Sequence, residues 1–338
     1  HLANSVKEIT ESEVVLADGS RVAAELVIAS IGVKPDTTLA KAAGIEIGVK
    51  GGIAVNLFNQ SSNPDIYAIG DAAEKSDELT GESTLIPLAN IANRHGRITA
   101  DHIAGKSVRE VASIGTAIVK VFDLAVATTG WNAKRLAAAG KSFTEIHTHP
   151  NSHATYYPGA SQFSLKLIFD PKSGEILGAQ GVGRDGVDKR IDVIATALRA
   201  GVTAPALADL ELAYAPPFSS AKDPVNMLGY IAENVISGIT ETAQWSELDK
   251  YKSEGYAFID VRSASEFANG TIPGSVNIPV DEMRERHTEI NNKKVIINCQ
   301  VGQRGHVATM LLRSLGYDAR NLDGGYLTWI NSPAANLK

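Results

Sequence analysis

An α/β chain of two or three domains is what this sequence predicts, and three observations carry the prediction. The apolar run Val295-Ile296-Ile297 leads into a short loop and then a helical stretch over residues 305–315, the strand–loop–helix order of a parallel sheet. A second apolar run, Ile66 to Ile69, ends in Gly70-Asp71 at a strand-to-helix turn. Residues 113–237 alternate strand-like with helix-like segments, and 338 residues exceed one ordinary core.

In chain order, residues 13–31 read as strand, Asp18-Gly19 turn, strand, and residues 32–36 leave as a loop. Asn63 to Ala72 reads as an apolar strand closing on Gly70-Asp71, and the ends of parallel strands are where ligands bind. Gly70 admits a close backbone approach, and Asp71 can accept a hydrogen bond from a sugar-type hydroxyl. Pro87-Leu88-Ala89 opens a helix, a natural place for proline, whose N-terminus favours negative charge. Strands follow over Thr116–Phe122, Phe163–Asp170 and Ile176–Gly183, and helices over Asn132–Ala139, Lys189–Ala200 and Asp223–Ser237. Val182 to Val187 forms the turn into the second of these helices.

Composition narrows the classes. A net charge of −6 argues against a nucleic-acid partner. No apolar run approaches the ~20 residues that span a bilayer, and no basic-then-apolar signal segment opens the chain, so a membrane role is not expected. A single cysteine leaves no disulfide framework and suits a reducing cytoplasm. His147, His149 and His153 lack a second ligand set at a recognised spacing and read as a polar loop rather than a metal site. His95 and His102, seven apart on one helix, read as a solvated or cofactor-edge face; the charges near 281–286 and 291–294 read as solvated surface.

That cysteine, Cys299, heads the loop Gln300-Val301-Gly302-Gln303 before Arg304. A thiol there faces the positive end of a helix and a ring of backbone N–H groups, both of which favour thiolate. Arg304 adds a fixed positive charge at the rim. Asp260 and Arg262 read as a buried ion pair bracing the loop.

With Ile259-Asp260-Val261-Arg262 and Glu266 to Pro279 upstream and Leu322 to Trp329 downstream, about the last hundred residues closely resemble a rhodanese (sulfurtransferase) domain. Thr271 stands where that family often has histidine, at a position that is usually structural. The resemblance implies a persulfide on Cys299, cradled by the loop; the loop's shortness resembles the sulfur-handling form rather than the related phosphatases.

Gly70-Asp71 followed by Pro87-Leu88-Ala89 resembles the FAD-linked pyridine nucleotide–disulfide oxidoreductases. That resemblance implies that Gly70 and Asp71 bind the flavin's ribityl chain and that the helix after Ala89 lies beneath the flavin; residues 113–237 then look like the family's dimerisation domain. Two aromatic clusters, His153 to Gly159 and Ala213 to Asn226, look like segments of coenzyme A-disulfide reductases and NADH-dependent persulfide reductases. By resemblance, Tyr214 with Tyr156 (or, less favoured, Tyr157) hydrogen-bonds or protonates the sulfur substrate across a homodimer.

The N-terminal Gly-rich FAD turn, a cysteine beside the flavin and a nicotinamide-cofactor turn are absent from this sequence; Gly181 to Gly186 fits the bare glycine spacing but lies in the dimerisation region. The expectation is therefore the C-terminal part of a longer enzyme: residues 1–35 ending an NAD(P)H-binding domain, 36–112 a second FAD-binding segment, 113–237 the dimerisation domain and 238–338 the rhodanese domain. The fold class is α/β: a partial FAD/NAD(P)-binding reductase fold, an α+β dimerisation domain and an α/β rhodanese domain. The expected parent activity is reduction of persulfide, polysulfide or coenzyme A disulfide with FAD and NADH or NADPH, coenzyme A being substrate or ligand. An NADH oxidase or peroxidase with a rhodanese redox sensor, and a dimeric sulfur-binding module without turnover, are the alternatives.

Overall fold

The structure, a computed structural model, describes residues 1, 3–108 and 111–336. Its N-terminal region opens with an antiparallel meander of β1 (Val6–Ile9), β2 (Glu13–Leu16) and β3 (Arg21–Ala23). The second strand of the expected hairpin therefore stops at Ala23 rather than reaching residue 31. Leu26, Ile28, Ile31 and Val33 are exposed, and no strand among the described residues pairs with them. An apolar run becomes a strand only where a neighbour takes its backbone groups. After α1 (Thr38–Ala42), the expected strand before Gly70 is likewise absent: Tyr67 makes one isolated bridge to Gln60, and Gly70–Ala72 forms a single 3₁₀ turn. The short pair β4 (Lys75–Ser76) and β5 (Ser83–Thr84) leads to α2 (Ala89–Ile103).

The middle region is a five-stranded antiparallel sheet in the order β6-β7-β10-β9-β8. It runs through β6 (Ala117–Val121), β7 (Leu124–Gly130), α3 (Ala133–Ala138), β8 (Thr144–Thr148), β9 (Phe163–Phe169) and β10 (Ile176–Gly183), then α4 (Val187–Arg199) and α5 (Pro224–Ile236). Alternate residues Phe163, Leu165, Leu167 and Phe169 pack with Ile191, Ile194 and Leu198 of α4 and with Val225 and Leu228 of α5. β7 and β8 were not legible as strands.

The C-terminal region is a parallel sheet in the order β11-β15-β14-β12-β13. Its elements are β11 (Thr242–Ala243), α6 (Leu248–Ser253), β12 (Ala257–Asp260), α7 (Ala264–Ala268), β13 (Ser275–Asn277), α8 (Met283–Arg286), β14 (Lys294–Asn298), α9 (Gln303–Ser314), β15 (Asp318–Leu322), α10 (Gly325–Ile330) and α11 (Pro333–Asn336). Val295 and Ile297 enter one apolar cluster and Ile296 another, so β14 is buried on both faces, as its unbroken apolar run requires.

Candidate functional site

Cys299 leaves β14 and is fully buried. Gly302, in the left-handed region at φ 98°, caps α9, and its N–H donates to Cys299 Sγ at 3.1 Å. The helix begins one residue later, so its positive end also faces the sulfur. Arg304, in the first turn of α9, holds Glu266 bidentately at 2.8 and 2.7 Å. That carboxylate, and beyond it the Cys299 sulfur, pushes the Arg304 guanidinium up from its ordinary value. In return the Arg304 guanidinium, helped by Ser263, holds Glu266 down at about 2. Glu266 also closes a capping box with Ser263 at the start of α7, so Arg304 is gripped by a residue that is itself fixed.

Beneath the loop, Arg262 and Asp260 form a buried bidentate pair. Arg262 Nη1 reaches Gln300 Oε1 at 3.2 Å, Nη2 donates to the Gly270 carbonyl, and the guanidinium lies 4.1 Å from the Tyr326 ring centre. Thr271 donates to Asp260 at 3.2 Å. Val301 is half-buried and Gln303 exposed. Three further supports come from outside the loop. Asn321 donates to the Gly302 carbonyl at 3.1 Å, and the Tyr326 and Leu327 N–H groups donate to the Cys299 and Gln300 carbonyls at 2.7 and 3.0 Å. Asn321 approaches from β15 and was not singled out in the sequence, whereas Tyr326 and Leu327 belong to α10 and to the Leu322–Trp329 segment that carries the rhodanese resemblance.

The two aromatic clusters come together elsewhere. Tyr156 Oη and Tyr214 Oη lie 2.8 Å apart on an exposed surface, and the Tyr156 hydroxyl pushes the Tyr214 phenol up from its ordinary value. Tyr157 instead packs edge-on against His153. Buried Arg190 ties both loops, donating to the Ser152 carbonyl, to Ser219 Oγ and to Asp223, and the Ala154 N–H donates to the Ser219 carbonyl. Sequence reading missed Arg190, because it sits on a helix face that otherwise packs in the core. No hydrogen bond joins the tyrosine pair to the Cys299 loop among the described residues.

The 3₁₀ turn of Gly70 and Asp71 packs on α2, with Gly70 against Ala92. Pro87 precedes α2, Leu88 is its N-cap and Ala89 its first residue; Leu88 makes no capping bond, Asn90 Oδ1 accepts from the Ile91 N–H at 2.7 Å, and the first turn holds no acid. An exposed Asp71 and a helix N-terminus without an acidic side chain are an acceptor and a positive end that fit a flavin's hydroxylated chain and anionic ring edge. Of the two expectations for His95, the solvated one does not hold: it is 7% exposed and lines a cavity of about 360 Å³ with Lys75 and Asn59. Burial first, then Lys75 and Arg94, holds it down at about 4. His102 stacks on Phe58.

Of the three histidines expected in a polar loop, His149 and His153 lie in one and His147 does not. His147 lies in β8 and bonds Asp323, His149 bonds Ser164 and Thr328, and His153 bonds Ser152 and the Pro158 carbonyl. Gly181 and Gly183 lie within β10, not in a dinucleotide turn.

A parallel sheet carrying a cysteine loop, joined to an antiparallel sheet and a flavin-type turn, defines a disulfide reductase framework with a sulfurtransferase-like domain. The family models agree: pyridine nucleotide-disulphide oxidoreductase over residues 1–96, its dimerisation domain over 116–224 and a rhodanese-like domain over 243–332. The chain belongs to the pyridine nucleotide-disulphide oxidoreductase family and carries a rhodanese-like domain. It is 36% identical over 219 residues to an NAD(P)H sulfur oxidoreductase (CoA-dependent) of Pyrococcus furiosus, covering 65% of this chain and 49% of that protein. It is 35% identical over 233 residues to a coenzyme A disulfide reductase of Staphylococcus aureus, covering 69% of this chain and 53% of that protein. Among solved structures, reduced Bacillus anthracis CoADR-RHD superposes with a TM-score of 0.91 at 49% identity, over 97% of this chain and 59% of the other. An NAD-dependent persulfide reductase from A. fulgidus gives 0.89 at 36% identity, over 97% and 60%. The chain thus spans about half the length of the curated relatives it matches.

Proposed function

We propose that this chain carries the sulfur-transfer, flavin-contacting and dimer-forming parts of an FAD- and NAD(P)H-dependent reductase of persulfide, polysulfide or coenzyme A disulfide bonds. Sulfane sulfur rides on Cys299, and the chain works as part of a homodimer. The reading divides it near residues 35, 112 and 237. The observation that carries it is the Cys299 nest, with the Gly302 N–H 3.1 Å from Sγ and the Arg304–Glu266 pair at the rim. The names of the relatives, which act on coenzyme A disulfide or persulfide, support the substrate class.

The sulfur step balances without an outside oxidant. The Cys299 thiolate attacks the outer sulfur of a donor such as thiosulfate; the donor S–S bond breaks, and sulfite departs with the electron pair. The resulting persulfide anion is held by the loop N–H groups and the Arg304 charge. A thiolate or cyanide then takes the terminal sulfur and returns Cys299 as thiolate. FAD, when bound, would pass electrons from the nicotinamide to an S–S bond. This chain's contribution is Gly70 and Asp71 at the flavin's hydroxyl chain, the N-terminus of α2 (Pro87, Leu88, Ala89) at its anionic edge, and a phenol proton at Tyr214, held by Tyr156. Cyanide-dependent thiocyanate formation from thiosulfate, with the chain and its Cys299→Ser variant, tests the reading. Turnover that vanishes in the variant supports it; equal turnover in both defeats it.

A further inference from the structure

We propose that His147, on the antiparallel sheet, is a positioning residue for the Cys299 loop, acting through Asp323. β8 is an edge strand of its sheet, and such an edge presents unpaired backbone groups. Here the parallel-sheet domain takes them: Gln244 donates to the Glu145 carbonyl at 3.0 Å, and the His147 N–H donates to Asp323 Oδ1 at 3.0 Å. The imidazole adds a second bond to the same carboxylate, Nδ1 to Oδ2 at 2.5 Å. Because a carboxylate only accepts, Nδ1 carries the proton. Two residues on, His149 Nε2 meets Thr328 Oγ1 at 2.7 Å, with Ser164 on its other ring nitrogen. The i, i+2 spacing of the two histidines, which suggests chelation in the sequence, instead aims both rings at one partner domain.

What they grip is the back of the sulfur loop. Asp323 is 3% exposed and runs straight into Gly324-Gly325 and α10, whose Tyr326 and Leu327 N–H groups hold the Cys299 and Gln300 carbonyls. The two glycines leave no slack. A Cβ on Gly324 would stand 2.8 Å from His147 Cβ and 2.0 Å from Thr328 Oγ1; one on Gly325 would stand 2.4 Å from the Cys299 carbonyl oxygen. A rigid path therefore runs from β8 through Asp323 and the first turn of α10 to the peptide units that aim the Gly302 N–H at sulfur. Glu145 and Lys166, paired with each other on β8 and β9, are the other charges beside His147.

This inference rests on the sulfur-transfer reading, so its test has an arm that does not. In the whole chain, His147→Ala and His147→Asn are compared with the parent protein. Asparagine keeps a donor near the Nδ1 position. The first arm is steady-state thiosulfate–cyanide transfer. The expected result is a fall in kcat of roughly tenfold in His147→Ala, with KM for thiosulfate held within about twofold and most of kcat recovered in His147→Asn. The second arm is the rate of iodoacetamide alkylation of the single cysteine, Cys299, which reads loop geometry without turnover. A rate change of roughly threefold or more in His147→Ala, reversed in His147→Asn, is expected. Parent-like alkylation in His147→Ala, or equal changes in both variants, overturns the inference. If the parent transfers no sulfur, the functional reading fails while the alkylation arm still decides this one.

Discussion

Cys299 is the single thiol, but its neighbours decide what it can do. Arg304 is the residue to alter beside it. Its guanidinium binds Glu266 with two nitrogens, so the positive charge stands in one place before any sulfur arrives. Lysine keeps the charge and loses the fork. Arg304→Lys should lower kcat for thiocyanate formation by roughly tenfold, and Arg304→Ala by more, with the fold intact by circular dichroism. An Arg304→Lys variant with parent-like kcat would remove the pair from the account of the site. At this scale the sequence was informative, since Cys299, Gly302 and Arg304 fall within six consecutive positions. Glu266, Asn321 and Tyr326 come from other elements, and only the folded chain brings them to the loop.

Elements bring such residues together through two seams. The seam between α10 and the Cys299 loop is too close for a side chain at Gly325, which also has φ 63°. Gly325→Ala should therefore displace the loop, cost on the order of 1–3 kcal/mol and abolish most sulfur transfer, while the middle sheet is unaffected. Urea unfolding followed by tryptophan fluorescence, together with the transfer assay, checks both parts. The second seam is the knot of Arg190, 1% exposed, with Asp223 and Ser219 under the two tyrosine loops. Arg190→Met leaves Asp223 buried without its main partner and should cost about 3–5 kcal/mol, read as a lowered unfolding midpoint. Legibility differed between elements for a physical reason. Strands buried on both faces, such as β14, carry a long apolar run, and the core helices carry their period. β8 has one apolar residue in five, Ile146, and exists because β9 pairs with it. The reverse error occurred at residues 24–31, where an apolar run has no pairing neighbour.

Across the whole molecule, the groups that lock the regions together also set how stability follows pH. His149 is buried between Ser164 of β9 and Thr328 of α10, and desolvation first, then the nearby His147, holds it down at about 4, against an opposing pull from Asp323. His95 is held at about 4 by burial, Lys75 and Arg94. An unfolded imidazole titrates near 6.5. Between pH 6.5 and 4 the unfolded chain thus binds more protons at these positions than the folded one, so stability rises with pH through that window and falls on acidification. For His149 the loss is at most about 3 kcal/mol. Glu266 acts in a lower window. Its folded value of about 2 lies below the unfolded value of 4.5, so its stabilisation is complete above the unfolded value and is lost as pH falls towards 2. Because that carboxylate stays about one-third exposed, solvent screens it and the second effect is the smaller. Thermal midpoints from pH 7 to 3 should therefore decline first through the histidine window. In His149→Gln, whose amide can still meet Thr328, the slope between pH 6.5 and 4 should shrink but not vanish, because His95 continues to titrate. The Glu266 step should be unchanged. A parent profile that is flat between pH 6.5 and 4 would mean that neither imidazole is held neutral by the fold. An unchanged slope in His149→Gln would place the acid sensitivity away from the contact between His149 and α10.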